Sequence, residues 1–155
     1  MVLKQYKTMT NEEKQLLFKD LSARSPYEVK ATTTSNRWSG VYTVSGCKNN
    51  RVYLDCPVLD EGDDEWLIES VKPYLRSMES MTDEEKKEFI HCSGYEVEES
   101  VNGRHYEYYL KDYVGTPEKP ICNYNAIVWL IKHHFDYLGL IKLGIALEAP
   151  KGMYN

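Results

Sequence analysis

The same six-residue phrase occurs twice in this chain, as MTNEEK at residues 9–14 and as MTDEEK at residues 81–86. Each copy sets a threonine three residues before a glutamate, Thr10 with Glu13 and Thr82 with Glu85. That spacing is a capping box: the hydroxyl accepts from the amide three residues on, and the carboxylate reaches back to the threonine amide. Acidic groups in the first turn also face the positive end of the helix dipole. Met9 and Met81 precede the caps, but Lys14 and Lys86 stand where a hydrophobic staple needs an apolar partner. Beyond the sixth residue the copies diverge, QLLFKDL against KEFIHCS, whereas a duplicated domain carries similarity further. The repeat marks two helix starts, not two copies of a site.

With those starts placed, the remaining pattern reads as an α+β chain. A first helix runs from about Asn11 to Ala23, burying Leu16, Leu17 and Leu21, and Pro26 stops it. Five short runs rich in β-branched and aromatic residues follow: PYEVKATTT, SGVYTVSGC, RVYLDCPVL, EWLIES and PYLRSM. In the third, alternation puts Val52, Leu54, Cys56 and Val58 on one face, with Tyr53 and Asp55 on the other. KNN at 48–50 predicts a hairpin turn, DEGDD at 60–64 a polar loop, and SVKP at 70–73 a tight turn between two strands. Together these predict a small SH3-like barrel or strongly bent antiparallel sheet within residues 1–80.

Residues 81–155 add a second helix from Asp83 to about His91, with Gly94 as a left-handed cap. A β-hairpin over residues 95–113 turns at Asn102-Gly103. Its register places Tyr95, Val97, Val101, Tyr106, Tyr108 and Leu110 inside, and Glu96, Glu98, His105, Glu107, Tyr109 and Lys111 outside. A buried C-terminal helix is expected from about Asn125 to Phe135, capped by Asn123 or Asn125, on the helical spacing of Ile127, Leu130, Ile131, His134 and Phe135. DYLGLIKLG reads as a further turn ended by Gly144, IALEA as an edge strand and PKGMYN as a free tail. The two parts are expected to pack as one unit.

Charge and composition narrow the function classes. The net charge of −5 disfavours general duplex nucleic-acid binding, and only the first 25 residues are net positive, five basic against three acidic. MVLKQYK is no signal peptide, and the longest apolar run, AIVWLI at 126–131, is too short to span a bilayer. The expectation is a soluble cytoplasmic protein without membrane association. In a reducing compartment Cys47, Cys56, Cys92 and Cys122, which form no CxxC pair, read as small buried hydrophobes. Thirteen tyrosines against three phenylalanines point towards a recognition surface.

Four features could carry chemistry. His133, His134 and Asp136 in HHFD could supply a general base, the hydrolase alternative, although adjacent helical histidines diverge by about 100°. His91, Cys92 and Cys122 with a later histidine lack the short spacings of a zinc site, so no metal and no cofactor is expected. The acidic loop DEGDDE at 60–65 has its glycine in the wrong place for a calcium loop. RHYEYYLKDY, in the 95–113 hairpin, mixes aromatic and basic groups that could stack single-stranded bases, although Glu107 and Asp112 repel phosphate. P-loop, GxGxxG, GxSxG and HExxH signatures do not occur.

The segments LLFKDLSARSPYEVK, VKPYLRSMESMTDEEKKE and WLIKHHFDYLGLIKLGIALEAPKGMYN resemble a small-protein family of gut Bacteroidales, often encoded by phages and other mobile elements. The resemblance implies an accessory role and transfers no catalytic residue. The expectation is a non-enzymatic protein that binds another protein through exposed groups including Tyr53, His105, Tyr109 and Lys111.

Overall fold

The computed structural model describes residues 8–55, 64–92 and 124–154. Helix α1 covers Asn11–Arg24 and α2 covers Asp83–Cys92. Both capping boxes form. Glu13 N donates to Thr10 Oγ1 at 3.1 Å and Thr10 N to Glu13 Oε2 at 3.0 Å. Glu85 N donates to Thr82 Oγ1 at 3.2 Å and Thr82 N to Glu85 Oε2 at 3.1 Å. The methionine before each cap is buried, Met9 in the core beneath the sheet and Met81 in a second core beside α2. Tertiary packing thus supplies the apolar partner that Lys14 and Lys86 do not.

One sheet is built from β1 (Lys30–Thr33), β2 (Tyr42–Lys48), β3 (Arg51–Asp55), β4 (Asp64–Leu67), β5 (Val71–Leu75) and β6 (Leu147–Glu148). Its order is β4-β3-β2-β1-β5-β6. Neighbours are antiparallel except β6, which joins β5 in parallel, so the sheet is mixed. Among the described residues it is an open sheet with β4 and β6 at its ends, not a closed barrel. The class is α+β. Asn49 and Asn50 at φ 51° and 59° make the β2–β3 turn, with both central residues in the left-handed region that matches sheet twist. Val52 and Leu54 are fully buried, whereas Tyr53 is half-buried and Asp55 exposed, as the alternation requires.

The reversal expected at 70–73 comes earlier. A 3-10 turn at Ile68–Ser70 turns the chain, and Val71–Pro73 already belong to β5. Proline is tolerated there because of ladder parity. Thr34 N donates to Ser70 O at 2.9 Å, so alternation makes the Ala31–Pro73 pair one without cross-strand hydrogen bonds.

The third helix, α3, covers Tyr124–Lys132 and ends three residues before the expected Phe135. Phe135 N donates to Leu130 O at 2.9 Å and His134 N to Ile131 O at 3.1 Å, the bond pair of a Schellman cap. His134 stands at the left-handed position with φ 63°, where glycine is usual. Phe135 returns to stack on Trp129 at 5.7 Å, the apolar contact that completes the motif. Its spacing therefore matched a buried helix because the cap folds it back into the same core. Gly144, at φ 78°, caps the following turn in the same way, with Ile145 N donating to Leu140 O at 3.1 Å.

The tail is not free. Tyr154 Oη accepts from Lys30 N and donates to Tyr74 O, both at 2.7 Å. Lys30 and Tyr74 come one pair beyond Ala31–Pro73, at the next hydrogen-bonding position after Thr32–Lys72, so the phenol occupies a rung of the β1–β5 ladder. The main core gathers Leu17 and Leu21 of α1, Val44, Val52, Leu54, Val71 and Leu75 of the sheet, and Leu140, Ile145 and Ala146 of the C-terminal turn. The second core joins Met81, Phe89 and Ile90 to Ala126, Trp129, Leu130 and Phe135.

If the capping boxes nucleate these helices as described, Thr10→Ala and Thr82→Ala each cost about 1 kcal/mol of unfolding free energy in denaturant titrations. A loss below a few tenths for either would mean that the box is ornamental in that helix.

Candidate functional site

Two places gather functional side chains: a buried polar cluster at the C-terminal end of α1, and the outer face of the sheet. The cluster begins in α1, where Leu17, Asp20, Leu21 and Arg24 follow the i, i+3, i+4, i+7 pattern of one helix face. That face enters the core and takes its charges with it. Arg24 Nε donates to Asp20 Oδ2 at 2.8 Å, both side chains being 0% exposed, and Arg24 Nη2 donates to Phe135 O at 2.6 Å. The Arg24 guanidinium also lies 5.7 Å from the centre of the Tyr137 ring. Burial pushes the Asp20 carboxyl above its usual range, opposed by Arg24, with a smaller upward push from Asp136. Burial and then the Asp20 charge raise the Tyr137 phenol, against Arg24.

His134 lies on the other side of Arg24. Its ring stacks on Tyr154 with centroids 3.8 Å apart, and its Nδ1 is buried without a hydrogen-bond partner. Burial, then the positive fields of Arg24, His133, Arg76 and Lys30, lowers its pKa from 6.5 to about 4. The imidazole is therefore neutral at pH 7. Burial raises the Tyr154 phenol to about 12, against the opposing effects of the Lys30 amide and Arg24.

The HHFD segment divides into separate structural roles. His133 stacks on Trp129 at 4.0 Å and pairs Nδ1 with Trp129 O at 2.8 Å. Asp136 accepts from Leu140 N at 2.8 Å and Ile141 N at 2.9 Å, capping the next turn. Both of its oxygens are engaged there, and its hydrogen bonds go to amides instead of to either imidazole.

Arg76 ties the end of β5 to the second core: its Nη2 donates to both Glu85 oxygens, at 2.9 and 2.8 Å, and the guanidinium lies 4.1 Å from the Phe135 ring centre. Of the cysteines, Cys47 is half-buried, its thiol pushed up by burial, but Cys92 is exposed, contrary to the expectation of a small buried hydrophobe. It sits at the end of α2, past the last turn that the Phe89–Ile90 face buries.

On the outer face, Tyr53 lies between Gly46 of β2 and Glu65 of β4. A side chain at Gly46 would meet nothing within 4 Å, so the ground beside Tyr53 is open. Arg51 and Glu65 pair at 3.5 Å across the strands while staying 45% and 50% exposed. Leu67, opposite Arg51, is 44% exposed. Lys48, Lys30 and Lys72 share this face through their cross-strand partners Arg51, Thr43 and Thr32. Ser45, the extra residue at a bulge in β2, donates its hydroxyl to Tyr53 O at 3.1 Å and steadies the strand there.

Of the residues singled out from the sequence, Tyr53 is thus placed on an accessible face, while His105, Tyr109 and Lys111 lie outside the described residues. So do Cys56, Cys122, Gly94 and the 95–113 hairpin. Among the described residues no group of three or more His, Cys, Asp or Glu side chains is arranged to hold a metal ion. No described helix is long and apolar enough to cross a membrane. The Asp20–Arg24 pair escaped sequence reasoning, although its i, i+4 spacing inside an apolar stripe was the available signal; Tyr154 had none. No family model, curated protein or solved structure matches the chain.

Removing one partner of a buried ion pair strands the other charge. Arg24→Met is expected to destabilise the protein by about 3–5 kcal/mol, and the double change Asp20→Leu with Arg24→Met to recover most of that loss. Denaturant melts of the two variants check this; equal losses would show that the Phe135 carbonyl, not Asp20, governs the role of Arg24.

Proposed function

We propose that this chain is a non-enzymatic accessory protein of phage or mobile-element origin, acting in the cytoplasm, that binds another protein through the outer face of its sheet. The observation that supports this is the surround of Tyr53: an aromatic ring beside the open ground at Gly46, with exposed Leu67 and a water-facing Arg51–Glu65 pair at its border. Aromatic and arginine side chains are the residue types that concentrate binding energy when a partner excludes water from them. The sheet holds them in register, so little ordering entropy opposes docking.

A second reading, single-stranded nucleic-acid binding, draws support from the same face. Lys30, Lys48, Arg51 and Lys72 stand there against Asp55 and Glu65, a cationic excess in a chain whose net charge is −5. A stacking ring among cations is the arrangement that tracks a single strand.

A photo-crosslinking residue at position 53, compared with one at the 77% exposed Tyr124, separates these readings in host cells. The expected result is one discrete protein adduct from position 53 only, lost in Leu67→Glu. Because Leu67 is on the surface, that change should leave stability within about 0.5 kcal/mol. Adducts that ribonuclease or deoxyribonuclease removes would favour the second reading, and equal labelling from both positions would sink the first.

A further inference from the structure

The last eight described residues hold on by few bonds. β6 contributes two paired residues, Ala149 N donates to Leu75 O at 2.7 Å, and the chain then runs through exposed Pro150, Lys151 and Gly152 to Tyr154. Everything beyond Ala149 depends on one ring, seated against His134 with its hydroxyl in the β1–β5 rung. We propose that residues 147–154 form an acid-opened latch, keyed by the neutral His134 ring beneath Tyr154, whose release bares the β5 edge that β6 covers.

The charges around His134 argue for this. Arg24 acts on it from α1, Lys30 from β1, Arg76 from the residue after β5 and His133 from just past α3, and all four add positive potential. Of the nearby carboxylates, Asp136 holds the Leu140 and Ile141 amides with both oxygens, and Asp20 holds Arg24 through Oδ2, its Oδ1 being buried without a partner; none of these bonds reaches His134. An imidazolium must donate from both nitrogens, yet the buried Nδ1 has no acceptor. A proton arriving at His134 is therefore accommodated only if the ring reaches water, and the tyrosine stacked on it is the nearest removable cover. Acid that also protonates Asp20 leaves Arg24 unbalanced and pushes the same way.

The sign follows from the lowered pKa. A base held below its solvent value stabilises the closed state fully above 6.5, and that stability is lost as pH falls from 6.5 towards about 4. Between pH 7 and pH 4.5 the ratio of open to closed latch should rise, with a ceiling of about 50-fold set by 6.5 for a fully solvated ring and about 4 for the closed state, because the four cations stay in place when the latch leaves.

Amide hydrogen exchange on the full chain, corrected for intrinsic rates, tests this. Protection at Lys30 and Ala149 should fall several-fold, and by no more than about 50-fold, between pH 7 and 4.5, while Val44, bonded to Val29 O at 2.9 Å, keeps its protection. In His134→Asn, which tolerates the left-handed backbone, the pH step should vanish. Tyr154→Phe keeps the ring but lacks the hydroxyl, so it should lower protection at Lys30 and Ala149 at both pH values and retain the pH step. The latch is overturned if Val44 falls in parallel with Lys30, if Lys30 holds its protection at pH 4.5, or if His134→Asn keeps the step. Unchanged Ala149 protection in Tyr154→Phe at pH 7 overturns it as well.

Discussion

The guanidinium of Arg24 is the charge on which the packing of this molecule turns. It is fully buried, it holds Asp20 one helical turn back, and it donates to the carbonyl of Phe135, 111 residues along the chain. A cation at that depth needs partners, and Nε and Nη2 find theirs in Asp20 and the Phe135 carbonyl although the buried Nη1 has none, so the position of α1 and the course of the C-terminal turn are set together. Leu17 and Leu21 then lie under the sheet, and Leu140, Ile145 and Ala146 close the same core. A buried ion pair of this sort contributes little net stability compared with apolar side chains of equal volume, but it makes wrong dockings of the helix costly. Arg76 does comparable work at the border of the second core, where Glu85 serves both the α2 capping box and the arginine.

His134 shows how a local ending acquires tertiary consequences. A Schellman cap asks for a left-handed residue, and histidine occupies it at some backbone cost. The strained position aims the imidazole at Tyr154 and folds Phe135 back onto Trp129. The helix end, the second core and the fastening of the tail therefore depend on one residue. Backbone strain that persists in a native structure is held there by its surroundings, and here three separate contacts do the holding.

The outer face of the sheet is a different kind of surface. Its side chains pair across strands in high dielectric, where Arg51 and Glu65 contribute little to stability. In the buried cluster, by contrast, Asp20 and Arg24 hold each other, Arg24 holds the Phe135 carbonyl, and Asp136 holds backbone amides.

Short-range physics made much of this legible in advance. The two capping boxes, the Asn49–Asn50 turn and the alternation that buries Val52 and Leu54 each depend on residues within a few positions of one another. The candidate site was legible only at Tyr53, whose alternation placed it opposite the core. What the tertiary structure alone decided involves partners far apart in the chain: Arg24 meeting the Phe135 carbonyl, Tyr154 entering a rung between Lys30 and Tyr74, and Arg76 meeting the Phe135 ring. Periodicity placed Phe135 in a helix because a cap and a helix return an apolar side chain to the same core. The sequence by itself determined where helices start and which strand faces are dry, since those follow from local hydrogen bonding and from 3.6- and 2-residue periods. Which buried charges pair, and which tail is tied down, was decided by three-dimensional proximity, because desolvation leaves a buried polar group no choice but the partners that folding brings within reach.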